Sequence, residues 1–125
     1  TEAQFEDTFR QLADLKLNVV HLARYSPRKG TLSERTMPDD VSDEEKWRRF
    51  RAVETLQERI ATELHAALEG KILPVLFEEK QKGRWMGRTE HMDLVYVESE
   101  SDLTGLILPV KINWTGPWTM IGELV

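Results

Sequence analysis

The amino-acid sequence predicts an α+β protein in which a helix and a buried strand precede one long helix and a five-stranded antiparallel β-barrel. Hydrophobic residues recur every three or four positions in residues 1–16 and 42–69, which is the period of a helix face. A short apolar run, residues 17–24, lies between them. After Gly70 short β-rich runs alternate with turn residues. The pattern therefore divides the chain into three segments: residues 1–41, 42–70 and 71–125.

The first segment opens with a predicted helix over residues 1–16. Its apolar face consists of Phe5, Phe9, Leu12 and Leu15. Thr1 and Gln4 have the spacing of a capping box, in which two side chains bond the free backbone N–H groups at a helix start. We therefore expect the helix to begin directly after Thr1.

A buried strand is predicted at Leu17–Arg24, because this run is apolar with little polar alternation. A helix, a tight turn and a buried strand are together typical of a piece of an α/β fold. The next segment, Tyr25–Val41, is predicted to be a loop, because proline, glycine and small polar residues recur along it.

The second segment is predicted to be one helix from about Ser42 to Glu69. Ser42 and Glu45 form a capping box, and acidic residues fill the first turn, where the helix dipole favours them. Gly70 is expected to end this helix, because glycine readily adopts the left-handed conformation that follows a helix C-terminus. The apolar stripe consists of Trp47, Phe50, Val53, Leu56, Ile60, Leu64 and Leu68.

The third segment contains five predicted strands in about 55 residues, which favours a small barrel of the OB kind. Such a barrel buries its core without leaving long exposed strand edges. The strands are Lys71–Glu78, Trp85–Glu90, Leu94–Glu98, Leu106–Asn113 and Met120–Val125.

Composition limits the chemistry that these 125 residues can perform. The absence of cysteine excludes disulfides, cysteine-ligated zinc, iron–sulfur clusters and a cysteine nucleophile within this sequence. The three histidines lie on different predicted elements, so no metal site is expected. No apolar run is long enough for a membrane span, and Thr1 does not begin a signal peptide. The net charge of −5 requires any nucleic-acid contact to use a local basic patch.

Five short runs, taken in order, point to one enzyme family. Three lie in the first segment: Phe5-Glu6-Asp7-Thr8, Tyr25-Ser26-Pro27-Arg28-Lys29-Gly30-Thr31 and Met37-Pro38-Asp39-Asp40-Val41. Two lie in the last segment: Gly87-Arg88-Thr89 and Gly122-Glu123-Leu124-Val125. Their order resembles the C-terminal part of radical-SAM tRNA methylthiotransferases, in which the end of the catalytic barrel and a linker helix precede a TRAM domain. Within the family, the group that modifies isopentenyladenosine beside the anticodon is the most similar.

This resemblance implies a cytoplasmic parent enzyme that uses 4Fe-4S clusters and S-adenosylmethionine. It also implies tRNA as the partner, which the enzyme binds at the anticodon arm of the tRNA. The family binds its clusters through cysteines, and none lies in this chain. We therefore expect a C-terminal portion that binds or positions RNA and holds no cofactor and no catalytic residue. The alternatives are a protein-interaction module of the OB kind and a portion of the related methylthiotransferase that acts on a ribosomal protein.

The predicted RNA-binding residues form the densest basic patch of the last segment, interleaved with an aromatic residue. They are Lys80, Lys82, Arg84, Trp85 and Arg88. Recognition of single-stranded RNA combines positive side chains along the backbone with aromatic rings for stacking. Six basic and eight acidic residues in the whole segment oppose this interpretation. The alternative is a solvated hairpin with Trp85 partly in the core.

Three basic residues near the predicted strand end are candidates for substrate or cofactor contact. Loops at the C-terminal ends of barrel strands face the active site in barrel enzymes, which places Arg24, Arg28 and Lys29 at the rim. The alternative is a turn with solvated side chains.

Two further aromatic residues, Trp114 and Trp118, flank Gly116-Pro117 in the last segment. They either stack on bases or pack against the protein. The apolar helix face and strand of the first segment predict self-association.

Overall fold

The computed structural model describes all 125 residues and contains three helices and five strands, which confirms the α+β class. The helices are α1 (Glu2–Leu15), α2 (Leu32–Thr36) and α3 (Asp43–Ala66). The strands are β1 (Ile72–Gln81), β2 (Arg84–Arg88), β3 (Leu94–Val97), β4 (Ile107–Thr115) and β5 (Met120–Leu124). The chain divides into two compact units, Thr1–Gln57 and Glu58–Val125. No helix combines the length and apolar character that crossing a lipid bilayer requires.

Helix α1 begins as predicted. The Gln4 backbone N–H donates to the Thr1 hydroxyl (3.3 Å), and the Thr1 amine donates to the Gln4 side chain (2.8 Å), so the capping box is complete. The helix ends at Lys16, whose φ of 48° is left-handed. Leu15, on the predicted apolar face, remains 64% exposed.

The strand predicted at Leu17–Arg24 is wrong. The segment is irregular, and only Val20 and Leu22 are half-buried while the others are exposed. A strand needs a neighbouring strand to satisfy its backbone groups, and the five strands of this chain pair among themselves. The start of the segment is held instead by Gln57, whose amide donates to the carbonyls of Leu17 and Asn18, both at 2.9 Å.

The predicted loop Tyr25–Val41 contains the short helix α2, which the sequence patterns missed. Thr31 caps this helix by accepting from the Glu34 N–H (3.2 Å), and its hydroxyl donates to the Arg28 carbonyl (2.8 Å).

Helix α3 starts as predicted, with the Ser42 hydroxyl accepting from the Glu45 N–H at 3.2 Å. It ends at Ala66, three residues before the predicted end, in turns that lead to β1.

The five predicted strands are confirmed and form a closed barrel with the order β1-β2-β3-β5-β4. The expectation of an entirely antiparallel barrel is wrong, because β3 and β5 pair in parallel, with Tyr96 opposite Ile121. Because the other four neighbouring pairs of this closed ring of five strands are antiparallel, β3 and β5 run in the same direction and their pairing is parallel. Alternate residues of each strand fill the interior: Val75, Phe77, Trp85, Val95, Val97, Val110, Ile112 and Met120, joined by Leu103.

Gly87 permits close contact within this interior. A Cβ atom at Gly87 would lie 2.5 Å from Val75 Cγ1 and 2.7 Å from the Leu76 carbonyl oxygen. Since real Cβ atoms do not approach other atoms so closely, β1 and β2 could not keep their spacing with a larger residue here.

Candidate nucleic-acid interface

An open cleft of about 610 Å³ lies where the β1–β2 turn meets the outer surface of β3 and the start of β5. Its lining residues are Gln81, Lys82, Gly83, Arg84, Tyr96, Glu98, Thr119 and Ile121. The alternation of β3 explains part of this lining, since Val95 and Val97 point into the core and Tyr96 therefore points outward.

A tight turn presents the two basic residues of the cleft. Lys82 and Gly83 both have positive φ (48° and 84°), as a two-residue hairpin turn requires, and Gln81 pairs with Arg84 across it. The Lys82 ammonium forms no ion pair or hydrogen bond within the protein. Arg84 Nε donates to Glu98 Oε1 at 3.1 Å, and both side chains are well exposed. The cleft thus carries two cations and one carboxylate.

The other predicted RNA-binding residues lie outside this lining. Lys80 Nζ donates to the Ser99 carbonyl (3.1 Å) and lies 6.0 Å from the centre of the Trp85 ring. Trp85 is 6% exposed and belongs to the barrel core, so its ring offers little surface to a base. Arg88 pairs with Glu78 at 3.3 Å, at the other end of β2. The structure therefore brings together only Lys82 and Arg84 of the predicted set.

Two aromatic residues lie at or near the cleft: Tyr96, which the sequence patterns did not single out, and Trp118, for which stacking on bases was one of two expected alternatives. Tyr96 is half-buried and lines the cleft, and the alternation of valine and tyrosine in β3 was the signal that could have identified it. Trp118, next to Thr119 in the β4–β5 loop, is 54% exposed. The cleft therefore combines two cations with the Tyr96 ring, and the neighbouring loop carries a second, exposed aromatic residue.

The three predicted rim residues are not gathered at a strand end, because no strand precedes them. The Arg24 guanidinium lies 3.9 Å from the centre of the Trp47 ring, a cation–π contact. Arg24 also lines a shallow depression of about 390 Å³, whose lining does not include Arg28 or Lys29. The Arg28 carbonyl closes the turn that leads to α2, as the alternative interpretation expected of this loop.

Basic residues of α3 are engaged with carboxylates within the first unit. Arg48 and Arg49 both bond Glu45 and Glu2, with N–O distances from 2.6 to 3.1 Å. Hydrogen bonds from Arg48 and then Arg49 lower the pKa of Glu45 to about 2. No group of three or more histidine, cysteine, aspartate or glutamate side chains is placed to hold a metal ion.

Comparison with known proteins identifies relatives along the whole chain, although no family model matches it. The tRNA-2-methylthio-N(6)-dimethylallyladenosine synthase of Dehalococcoides mccartyi strain CBDB1 is 40% identical over 124 residues, which are 99% of this chain and 30% of the relative. The synthase of Chloroflexus aurantiacus is 40% identical over 98% of this chain and 27% of its own length. That of Thermoanaerobacter sp. strain X514 is 34% identical over the full chain.

The chain thus spans less than a third of the length of these relatives. As their names state, these relatives are synthases of a modified adenosine in tRNA. The predicted resemblance to tRNA methylthiotransferases is confirmed by these matches.

Proposed function

Because the chain matches these synthases from end to end, we propose that it is the tRNA-binding portion of a cytoplasmic radical-SAM methylthiotransferase. The parent enzyme methylthiolates a modified adenosine beside the anticodon, and this portion holds the anticodon arm. The barrel is an OB-like module of the TRAM type. Its strand order, with β3 pairing both β2 and β5, supports that assignment.

The cleft at the β1–β2 turn is the observation that carries the proposal. In barrels of the OB kind, oligonucleotides bind to the face of the second and third strands between the β1–β2 and β4–β5 loops. Here Lys82 and Arg84 come from the first of these loops, Tyr96 from β3 and Thr119 from the end of the second. The elements that line the cleft are therefore those that bind nucleic acid in such barrels.

Each side chain of the cleft has a defined chemical task in this proposal. Lys82 supplies an unpaired ammonium to a phosphate, and Arg84 supplies a planar fork that bonds phosphate oxygens once Glu98 moves aside. Tyr96 offers a ring face to an unstacked base. The local excess of cations compensates for the acidic barrel. Few phosphates are neutralised, so we expect affinity in the range typical of non-specific contacts, about 10⁻⁴ to 10⁻⁶ M.

The contribution to catalysis is positional. Holding the anticodon arm in a fixed orientation removes part of the entropy cost of bringing the adenine to the reacting centre. Iron–sulfur clusters need cysteine thiolates. Because this sequence contains none, its residues do not fit the clusters that the family implies, and the redox chemistry belongs to other parts of the parent.

The test is a titration of the 125-residue protein with a fluorescently labelled tRNA anticodon stem-loop at about 50 and 200 mM salt. We expect binding at low salt that weakens as salt rises. Lys82→Gln and Arg84→Gln should each weaken binding and reduce the salt slope by about 0.7 to 1. Lys111→Gln, on β4 outside the cleft lining, is the matched control and should leave both quantities unchanged. Absence of binding even at low salt would refute the proposal.

A protein-interaction module is the second candidate, and one surface favours it. Ile72, Leu76 and Ile107 are exposed on the outer face of β1 and β4, where Leu76 lies opposite Ile107, and Ile107 is 66% exposed. Exposed apolar patches commonly mark interaction sites. If the protein fails to bind RNA, this face becomes the preferred site for a protein partner.

A further inference from the structure

A buried polar network connects the end of α3 to two loops of the barrel. His65, Thr89 and Asp93 are each at most 7% exposed. His65 Nδ1 lies 2.6 Å from the Gly116 carbonyl oxygen, and His65 Nε2 lies 3.3 Å from Asp93 Oδ1. The Thr89 hydroxyl donates to Asp93 Oδ2 at 3.0 Å. His65 therefore bridges the β2–β3 loop and the β4–β5 loop.

The chemistry of these groups fixes the direction of the shorter bond. A carbonyl oxygen only accepts hydrogen bonds, so His65 Nδ1 must carry the proton and donate to Gly116. Asp93 accepts from Thr89 at one carboxylate oxygen, and its other oxygen faces His65 Nε2, a contact that orients the imidazole ring when Nε2 as well as Nδ1 carries a proton. The Asp93 carboxylate thus orients the imidazole ring through Nε2, and the oriented ring holds the Gly116 carbonyl through Nδ1.

Gly116 is also held by contacts within its own loop. Its N–H donates to the Thr119 carbonyl at 2.9 Å, which closes the turn. A Cβ atom at Gly116 would lie 2.6 Å from the Trp114 ring, so the ring packs directly on the glycine. The next residues along the loop include the exposed Trp118, and Thr119 lines the cleft. Fixing Gly116 therefore fixes the loop that borders the cleft.

We propose that His65 is a positioning residue for RNA binding, because its bond to Gly116 holds the β4–β5 loop so that Trp118 stacks on a base of RNA bound in the cleft. The inference rests on the proposed function of the cleft. It adds a residue that touches no RNA and an aromatic contact beyond Tyr96.

Two variants of similar size separate positioning from general support of the fold. In His65→Asn the side-chain amide replaces Nδ1 and can still donate to Gly116, whereas in His65→Gln the amide replaces Nε2 and reaches toward Asp93. We expect His65→Gln to bind the anticodon stem-loop about three- to tenfold more weakly, which corresponds to loss of one hydrogen bond, and His65→Asn to bind within about twofold of the natural protein. Thermal unfolding of both variants selects a temperature at which each is folded.

Two further measurements make the test independent of how well these variants fold. ¹⁵N NMR of the natural protein should show a protonated His65 Nδ1. Trp118→Ala, a surface change, should weaken RNA binding about fivefold or more, as expected for loss of one base–aromatic stack. Unchanged affinity in Trp118→Ala, an unprotonated Nδ1, or equal losses in His65→Asn and His65→Gln would each overturn the inference while RNA binding itself stands. No RNA binding by the natural protein would overturn the proposed function, and the role of His65 in it.

Discussion

Arg84 and Glu98 form an ion pair at the edge of the cleft, with 3.1 Å between Arg84 Nε and Glu98 Oε1. Glu98 is the only carboxylate in the cleft lining. Exposed ion pairs contribute only about 0–1 kcal/mol, so a phosphate can displace the glutamate at little cost. The pair keeps the guanidinium at the mouth of the cleft and weakens its pull on an anion.

Removal of this carboxylate charge should strengthen RNA binding. Glu98→Gln frees Arg84 and removes repulsion of phosphate, and we expect about two- to fivefold tighter binding of the anticodon stem-loop in fluorescence anisotropy at low salt. Glu78→Gln, which frees Arg88 outside the cleft, is the control. Equal gains in the two variants would indicate a general charge effect and contradict a specific role for the cleft.

The ring of Tyr96 should matter more than its hydroxyl. Tyr96→Ala removes the stacking surface, and a stacked base contributes about 1–3 kcal/mol, so affinity for RNA should fall at least about fivefold. Tyr96→Phe should bind nearly as well as the natural protein. Comparable losses in both variants would show that the hydroxyl makes the contact.

The stability of the barrel should depend on Phe77. Its side chain is fully buried among the core residues, so Phe77→Ala should lower the free energy of unfolding by about 3–5 kcal/mol in urea titration. Ile107→Ala, on the exposed outer face, should change it by no more than about 0.5 kcal/mol. Similar losses at the two positions would contradict this assignment of the barrel interior.

Glu45 should titrate far below an ordinary glutamate. Because the pKa falls from 4.5 to about 2 on folding, the carboxylate stabilises the folded state above pH 4.5, and this contribution is lost as pH falls toward 2. ¹³C NMR of the side-chain carboxyl should show this midpoint. In Arg48→Gln the pKa should rise toward 4.5, since Arg48 is its main hydrogen-bond donor. A midpoint near 4.5 in the natural protein would refute the prediction.

Self-association should follow from exposed apolar side chains in the first unit. Leu15, Leu17 and Val19 are all exposed, and such groups favour contact between molecules. We expect light scattering to show an apparent mass that rises with protein concentration. The combined substitution of these three residues by polar ones should suppress the rise. A monomer at all concentrations would contradict the prediction.

The sequence predicts the elements whose signals are local. The capping residues of α1 and α3 predict where these helices begin, and the change in the period of the hydrophobic residues after Gly70 predicts the strands. The prediction of a strand at Leu17–Arg24 is wrong because a buried strand depends on neighbouring strands, which sequence patterns do not reveal. Helix α2 was missed because five residues are too few to show a helical period.

The candidate site is less predictable than the fold because it depends on which way each side chain points. Counting basic residues grouped Lys82 and Arg84 with Trp85 and Arg88, although Trp85 faces the opposite side of β2 from Arg84, and Arg88 lies at the other end of that strand. The same alternation places Tyr96 on the outside. The network around His65 joins residues that are far apart in sequence, so no local pattern could indicate it.

The position of β5 between β3 and β4 has a consequence for how the barrel assembles. The last strand inserts between two strands that are made earlier, so ring closure must wait until residues 120–124 are available. Until then β3 and β4 each present an open edge, to which another chain can add. During synthesis the barrel should therefore mature late and in one step, and truncation after Trp118 should yield aggregates rather than a smaller folded domain.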